Sequence, residues 1–136
     1  MKRREFIALT AAATLAPLAV MAEPANYTPG MAKKALADGK TVFLDFSATW
    51  CGTCAAQDRV ITALREENPA YNKHIAFIKV DWDDYGNGDL SNELKIPRRS
   101  TLVVLKGDKE LGRIVAGTAR KQIKMLMDTA LAAASS

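Results

Sequence analysis

Cys51 and Cys54 are the only cysteines in the chain, and two residues separate them. A Cys-x-x-Cys placed between a strand-like run and a helix-like run can close a small disulfide and open it again, or its thiolates can clip a metal. With Cys51 at the amino end of a helix, free N–H groups and the positive end of the helix dipole favour its thiolate, which brings its pKa into the ~3.5–7.5 range of such sites. Cys51 is then the attacking sulfur, and Cys54, one turn further in, resolves the mixed disulfide. Covalent haem attachment is excluded, because Ala55 rather than histidine follows Cys54. The one histidine, His74, precedes a strand and reads as a surface residue; with the two cysteines it falls short of a closed four-ligand metal site. A further oddity lies six residues before Cys51. Asp45 sits between Leu44 and Phe46 in an apolar run, so it either turns to water at the strand end or is buried for a chemical reason.

The elements that must hold these residues follow from periodicity. Thr41 to Ser47 has the β-branched and aromatic content of a mostly buried strand, and from Gly52 a helical pattern places Ala56, Val60, Ile61 and Leu64 on one face until Asn68-Pro69 ends it. Upstream, Glu23 to Tyr27 reads as a short tail, and Thr28-Pro29 as the cap and first position of a helix running through Met31 to Ala37 until Gly39. Downstream, Ile75 to Val80 is a second strand, followed by a polar, glycine-bearing turn from Asp81 to Asp89 and a short helix through Leu94. That turn fails as a calcium loop, since its fifth and twelfth positions are Tyr85 and Asn92. Thr101 to Leu105 and Glu110 to Ala116 flank Lys106-Gly107-Asp108-Lys109 as an antiparallel hairpin. Thr118 caps a last helix with Ile123, Leu126, Met127, Ala130 and Leu131 on its apolar face. This order predicts an α/β fold with a central mixed sheet covered by helices on both faces.

A chain of 136 residues that is 49% hydrophobic and 25% charged suits one globular domain. Its charge of +4 drops to about +2 once Lys2, Arg3, Arg4 and Glu5 are removed with a leader, and no basic stripe interleaved with aromatics supports nucleic-acid binding. The leader is read from a charged start, an apolar run from Phe6 to Val20 interrupted by Pro17, and Val20-Met21-Ala22 as a cleavage site. Arg3-Arg4-x-Phe6-Ile7 resembles the twin-arginine signal, with an ordinary secretory signal as the alternative. The expected organisation is a signal peptide over 1–22, cleaved after Ala22, and one domain over 23–136 in the periplasm.

Three stretches of the chain resemble the thioredoxin superfamily. They are Val42-Phe43-Leu44-Asp45-Phe46-x-Ala48-x-Trp50-Cys51-Gly52-Thr53-Cys54, Lys79-Val80-Asp81-x-Asp83, and Thr101-Leu102-Val103-Val104-Leu105-Lys106-Gly107. The resemblance implies the thioredoxin-like fold, with Asp45 as the buried acid that accepts the proton of Cys54 and Lys79 as its partner from the adjacent strand. It implies that Trp50 is an exposed aromatic beside the nucleophile, ordinary core packing being the alternative, and that Gly52 and Thr53 face the substrate. Two positions depart from the pattern. Thr53 stands where thioredoxin proper has proline, and Ser100 where the family has its cis-proline, unless a longer loop gives that role to Pro97. A cis bond before serine costs ~2.5–4 kcal/mol. In this register Arg99 and Ser100 line the substrate-facing side of the redox pair.

These residues lead to a thiol-disulfide oxidoreductase acting on protein disulfide or dithiol substrates, reductively, with a membrane electron donor or acceptor, no cofactor and a monomeric state. The alternative is a thioredoxin-fold carrier that holds a metal, a cluster or a partner through the two cysteines, since losing the proline ring opens space beside them.

Overall fold

A computed structural model of the protein describes residues 21–135. The charged start and apolar run of the leader lie outside the described residues. A five-stranded sheet in the order β1-β3-β2-β4-β5 forms the middle of the molecule: β1 (Ala25–Asn26), β2 (Thr41–Ser47), β3 (Ile75–Asp81), β4 (Thr101–Lys106) and β5 (Lys109–Val115). Strands β1, β3 and β2 are parallel, whereas β4 and β5 run antiparallel to their neighbours. The sheet is therefore mixed, as the sequence predicts. Strand β2 lies at its centre with every residue buried, which accounts for a near-continuous apolar run.

Among the described residues six helices cover the two faces: α1 (Met31–Ala37), α2 (Gly52–Glu67), α3 (Ala70–His74), α4 (Trp82–Tyr85), α5 (Asp89–Glu93) and α6 (Arg120–Ala134). Side chains alternate along β2, so Val42, Leu44 and Phe46 pack with Ala32 of α1, Leu90 of α5 and partly buried Trp82 and Tyr85 of α4. Phe43 points the other way, into a cluster with Ile61 and Leu64 of α2, Tyr71 of α3 and Ile123 and Met127 of α6. Asp45, two residues on, shares the α2 face. Among the described residues no helix is long and apolar enough to cross a membrane.

Several local expectations need correction. The segment read as a tail contains β1, whose two residues pair with Ile78 and Lys79 and carry too little sequence to show a period. Helix α3 follows Pro69 at once, with the Asn68 side chain accepting from the Ala70 N–H at 3.2 Å, and α4 starts where the Asp81 carboxylate accepts from the Asp83 N–H at 2.9 Å. Both are shorter than the window in which periodicity can be read. Gly30, at φ +89°, caps α1 in place of Thr28, and Ala119 rather than Thr118 precedes α6 with no side-chain cap. Gly39, at φ +84°, ends α1 as expected: its N–H donates to Leu36 O and that of Lys40 to Ala35 O, the two bonds of a left-handed helix stop.

Candidate active site

The site forms where β2 runs into α2. After Ser47 the chain turns through Thr49 and Trp50, and Cys51 becomes the N-cap of α2, its sulfur accepting from the Cys54 N–H at 3.2 Å. That bond satisfies one of the free donors of the helix start. Both cysteines are unpaired and buried, packed with Ala48 and against Trp82. Burial pushes the Cys51 thiol up, but hydrogen bonds from Cys54, Ser100 and Arg99 outweigh it and bring its pKa down from 9.0 to about 7. Close to half of Cys51 is then ionised at neutral pH.

Ser100 is the residue that closes the site from above. Its Oγ lies 3.2 Å from the Cys51 sulfur and 3.1 Å from the Cys54 sulfur. A hydroxyl has one proton and two lone pairs, and a thiolate only accepts. With Cys51 ionised, Ser100 Oγ–H therefore donates to Cys51, and Cys54 S–H donates to Ser100 Oγ. The backbone pays for this placement with φ +64°, a left-handed conformation costing ~1–2 kcal/mol outside glycine. Three bonds hold it: Ser100 N–H donates to Phe46 O at 2.7 Å, and Ser100 O accepts from Ala116 N–H at 2.8 Å and from Gln57 Nε2 at 2.9 Å. No described peptide bond is cis. Ser100 thus lies beside both cysteines, while Pro97 is exposed in the preceding loop.

Trp50 is exposed at 59%, with its Nε1–H donating to both carboxylate oxygens of Asp83 at 3.0 Å and the Arg99 guanidinium 4.5 Å from its ring centroid. The aromatic is held at its edge and its face, so it forms a rigid rim beside Cys51 together with exposed Gly52 and half-buried Thr53. Asp83, read from sequence as part of a solvated turn, has this specific task.

Asp45 is 7% exposed, and the like charge of Asp58 adds to desolvation in holding its carboxyl well above the ordinary range. Lys79 stands opposite Asp45 in the β2/β3 register, but its ammonium donates to Asp58 Oδ2 at 2.7 Å and acts on Asp45 only through charge. The long side chain reaches past the strand to α2. Burial opposes the charged lysine, yet Asp58 raises its pKa on balance. Asp58 and Gln57 are absent from the sequence reading. They follow Cys54 by four and three positions, the spacing that puts them on its side of a helix, and that spacing is the signal that could have found them.

A cavity of about 520 Å³ opens beside Cys51, with Ser47, Asp58, Lys79 and Tyr85 among its walls. Among the described residues no group of three or more His, Cys, Asp or Glu side chains is placed to hold a metal. His74 lies at the far end of the sheet, where Ile75 pairs with Thr41, while the cysteines follow the opposite end of β2.

The thioredoxin family model matches residues 22–129. A thioredoxin H-type of Fagopyrum esculentum is 42% identical over 83 residues, covering 61% of this chain and 66% of that protein. Thioredoxin-2 of Saccharomyces cerevisiae is 37% identical over 82 residues, covering 60% of this chain and 73% of that protein. The chain thus spans about two thirds of the length of these curated relatives. Among solved structures, Trxlp of Edwardsiella tarda superposes with a TM-score of 0.66 at 25% identity, over 76% of this chain and 98% of that one.

Proposed function

Because this chain belongs to the thioredoxin family, we propose that it is a thiol-disulfide oxidoreductase whose Cys51-Gly52-Thr53-Cys54 centre reduces protein disulfides. Cys51 thiolate attacks a substrate disulfide, one substrate sulfur leaves, and Cys54 then attacks Cys51 to release the second; Asp45 accepts the proton of Cys54. The observation that carries the reading is the Cys51 sulfur at the N-cap of α2, accepting from the Cys54 N–H at 3.2 Å and standing 3.2 Å from Ser100 Oγ; its lowered pKa, about 7, favours the reductive direction. A nucleophile pKa of ~7 accompanies a reducing potential of about −270 mV, whereas one near ~3.5 accompanies a strong oxidant at about −120 mV. The rim of Trp50, Arg99, Gly52, Thr53 and Ser100 is the docking edge for the substrate chain.

The leader supports export by the twin-arginine route, cleavage after Ala22 and work in the periplasm. An oxidising compartment does not recharge a reductase, so a membrane dithiol donor is part of the reading. The test is disulfide reduction by the purified 23–136 protein. Wild type should turn over, Cys51→Ala should not, and Cys54→Ala should accumulate a covalent complex with substrate. Equal rates for wild type and Cys51→Ala would refute the reading.

A further inference from the structure

Asp45 poses a problem that its burial creates. A carboxyl that takes a proton from the dithiol in every turnover must also return it to water, yet its Oδ1 has no hydrogen-bond donor in the protein and its side chain is enclosed. On the β4 side the register places apolar Leu102 opposite it. The remaining surroundings meet in a small cavity of about 140 Å³, where the charged groups are Asp58 and Arg65 of α2, Lys79 of β3 and Glu23 of the segment before β1; Cys51 acts on Asp45 through its charge. Lysine and arginine are donors already carrying their protons, so neither can accept one at neutral pH. Glu23 acts on Lys79 and Arg65 through its charge.

Asp58 is different in three respects. Its carboxyl comes within hydrogen-bonding reach of the Asp45 carboxyl, an approach of two acceptors that becomes a bond only when one of them is protonated. One oxygen, Oδ2, is fixed by Lys79 at 2.7 Å, which orients the group. Its side chain is 38% exposed and lines both the small cavity beside Asp45 and the larger one that opens beside Cys51. Asp58 is thus the group that touches the buried acid on one side and water on the other.

We propose that Asp58, oriented by Lys79, relays the proton of the resolving step between Asp45 and solvent. The inference rests on the thiol-disulfide reading above. When Cys54 resolves the mixed disulfide, its S–H proton passes to Asp45, directly or over one water. The freed electron pair on Cys54 forms the bond to the Cys51 sulfur, the bond between Cys51 and substrate breaks, and the substrate sulfur departs as thiolate. As that proton reaches Asp45 it moves on to Asp58 and from there to water within the same step, so resolution is complete only when the relay has acted, and Asp45 is left free for the next turnover. In sum the dithiol loses two electrons and two protons, one at each cysteine, and the substrate disulfide gains the two electrons.

The experiment mixes the reduced 23–136 protein with the symmetrical nitrothiobenzoate disulfide in a stopped-flow absorbance instrument. Attack by Cys51 releases a first coloured thiolate and resolution by Cys54 a second, so the two steps appear in one trace. In Asp58→Asn, which keeps the shape and cannot carry the proton, the second release should slow tenfold or more while the first persists, general acid-base steps contributing ~10²–10⁴-fold. Asp58→Glu should restore it, and added formate should accelerate the second release of Asp58→Ala but not that of wild type. An Asp58→Asn protein whose second release follows the wild-type rate across pH, or an Asp58→Ala protein that formate does not rescue, would overturn the relay alone. A wild-type protein that gives no first release would overturn the parent reading and the relay with it.

Discussion

Replacing Ser100 by alanine removes one oxygen that touches both sulfurs, at 3.2 and 3.1 Å, and should change the nucleophile in a way that can be worked out. A hydrogen bond to a charged group contributes ~1.5–3 kcal/mol and one to a neutral group ~0.5–1.5, so the thiolate loses about 1–1.5 kcal/mol more than the thiol. At ~1.36 kcal/mol per pKa unit, Cys51 should rise by about one unit from its value of about 7. The thiolate share at pH 7 then falls from about a half to about a tenth, but each remaining thiolate is about threefold more nucleophilic at a Brønsted slope of ~0.4–0.5. Alkylation of Cys51 by iodoacetamide should therefore be about twofold slower than wild type at pH 7 and about threefold faster above about pH 9, with the curves crossing near about pH 7.5. The same loss destabilises the reduced form, which moves the potential about 20–30 mV more negative. Ser100→Gly should shift the thiol equally while relaxing the φ +64° backbone, so it should be the more stable of the two variants. Identical alkylation profiles for wild type and Ser100→Ala would refute the bridging role of the hydroxyl.

Two further outcomes follow from the same geometry. Asp45 has its pKa raised by burial and by Asp58, so the native state binds more protons than the unfolded chain between the ordinary carboxylate pKa of 3.8 and the native one. The associated stability is complete below the unfolded pKa and is lost as pH rises through the native pKa. Asp45→Asn should thus melt higher than wild type at pH 7, by about 4 °C per kcal/mol gained, with the advantage gone in acid; an equal or lower melting temperature at pH 7 would contradict it. Gln57 is fully buried and donates from Nε2 to Ser100 O and Gly117 O, both at 2.9 Å. Gln57→Leu should cost about 2 kcal/mol in urea unfolding and raise the Cys51 pKa, and a loss below about 0.5 kcal/mol would show that the Ser100 loop holds itself.

How far the sequence shows this arrangement depends on the length of each signal. Strand β2, helix α2, the β4/β5 hairpin and α6 each carry enough residues for a period to appear, and the two cysteines at a strand-to-helix junction declare their chemistry through spacing. Strand β1 and helices α3 and α4 are two to five residues long and owe their form to neighbours and caps. Register places Lys79 opposite Asp45, but only the structure shows that its flexible stem turns to Asp58. Ser100 is a similar case. Its position beside the cysteines is legible from the hairpin that follows, whereas its left-handed backbone and its bridge to both sulfurs depend on Phe46, Gln57 and Ala116, which are distant in sequence.

The reduction potential of the 23–136 protein, equilibrated against glutathione buffers with the Cys51/Cys54 pair read by thiol labelling, bears most directly on the account. A reductase with a nucleophile pKa of about 7, the Ser100 hydroxyl included, should give a two-electron couple at about −270 mV. A potential near about −120 mV would contradict the reductive reading, and a pair that shows no reversible dithiol-disulfide couple would contradict the oxidoreductase itself.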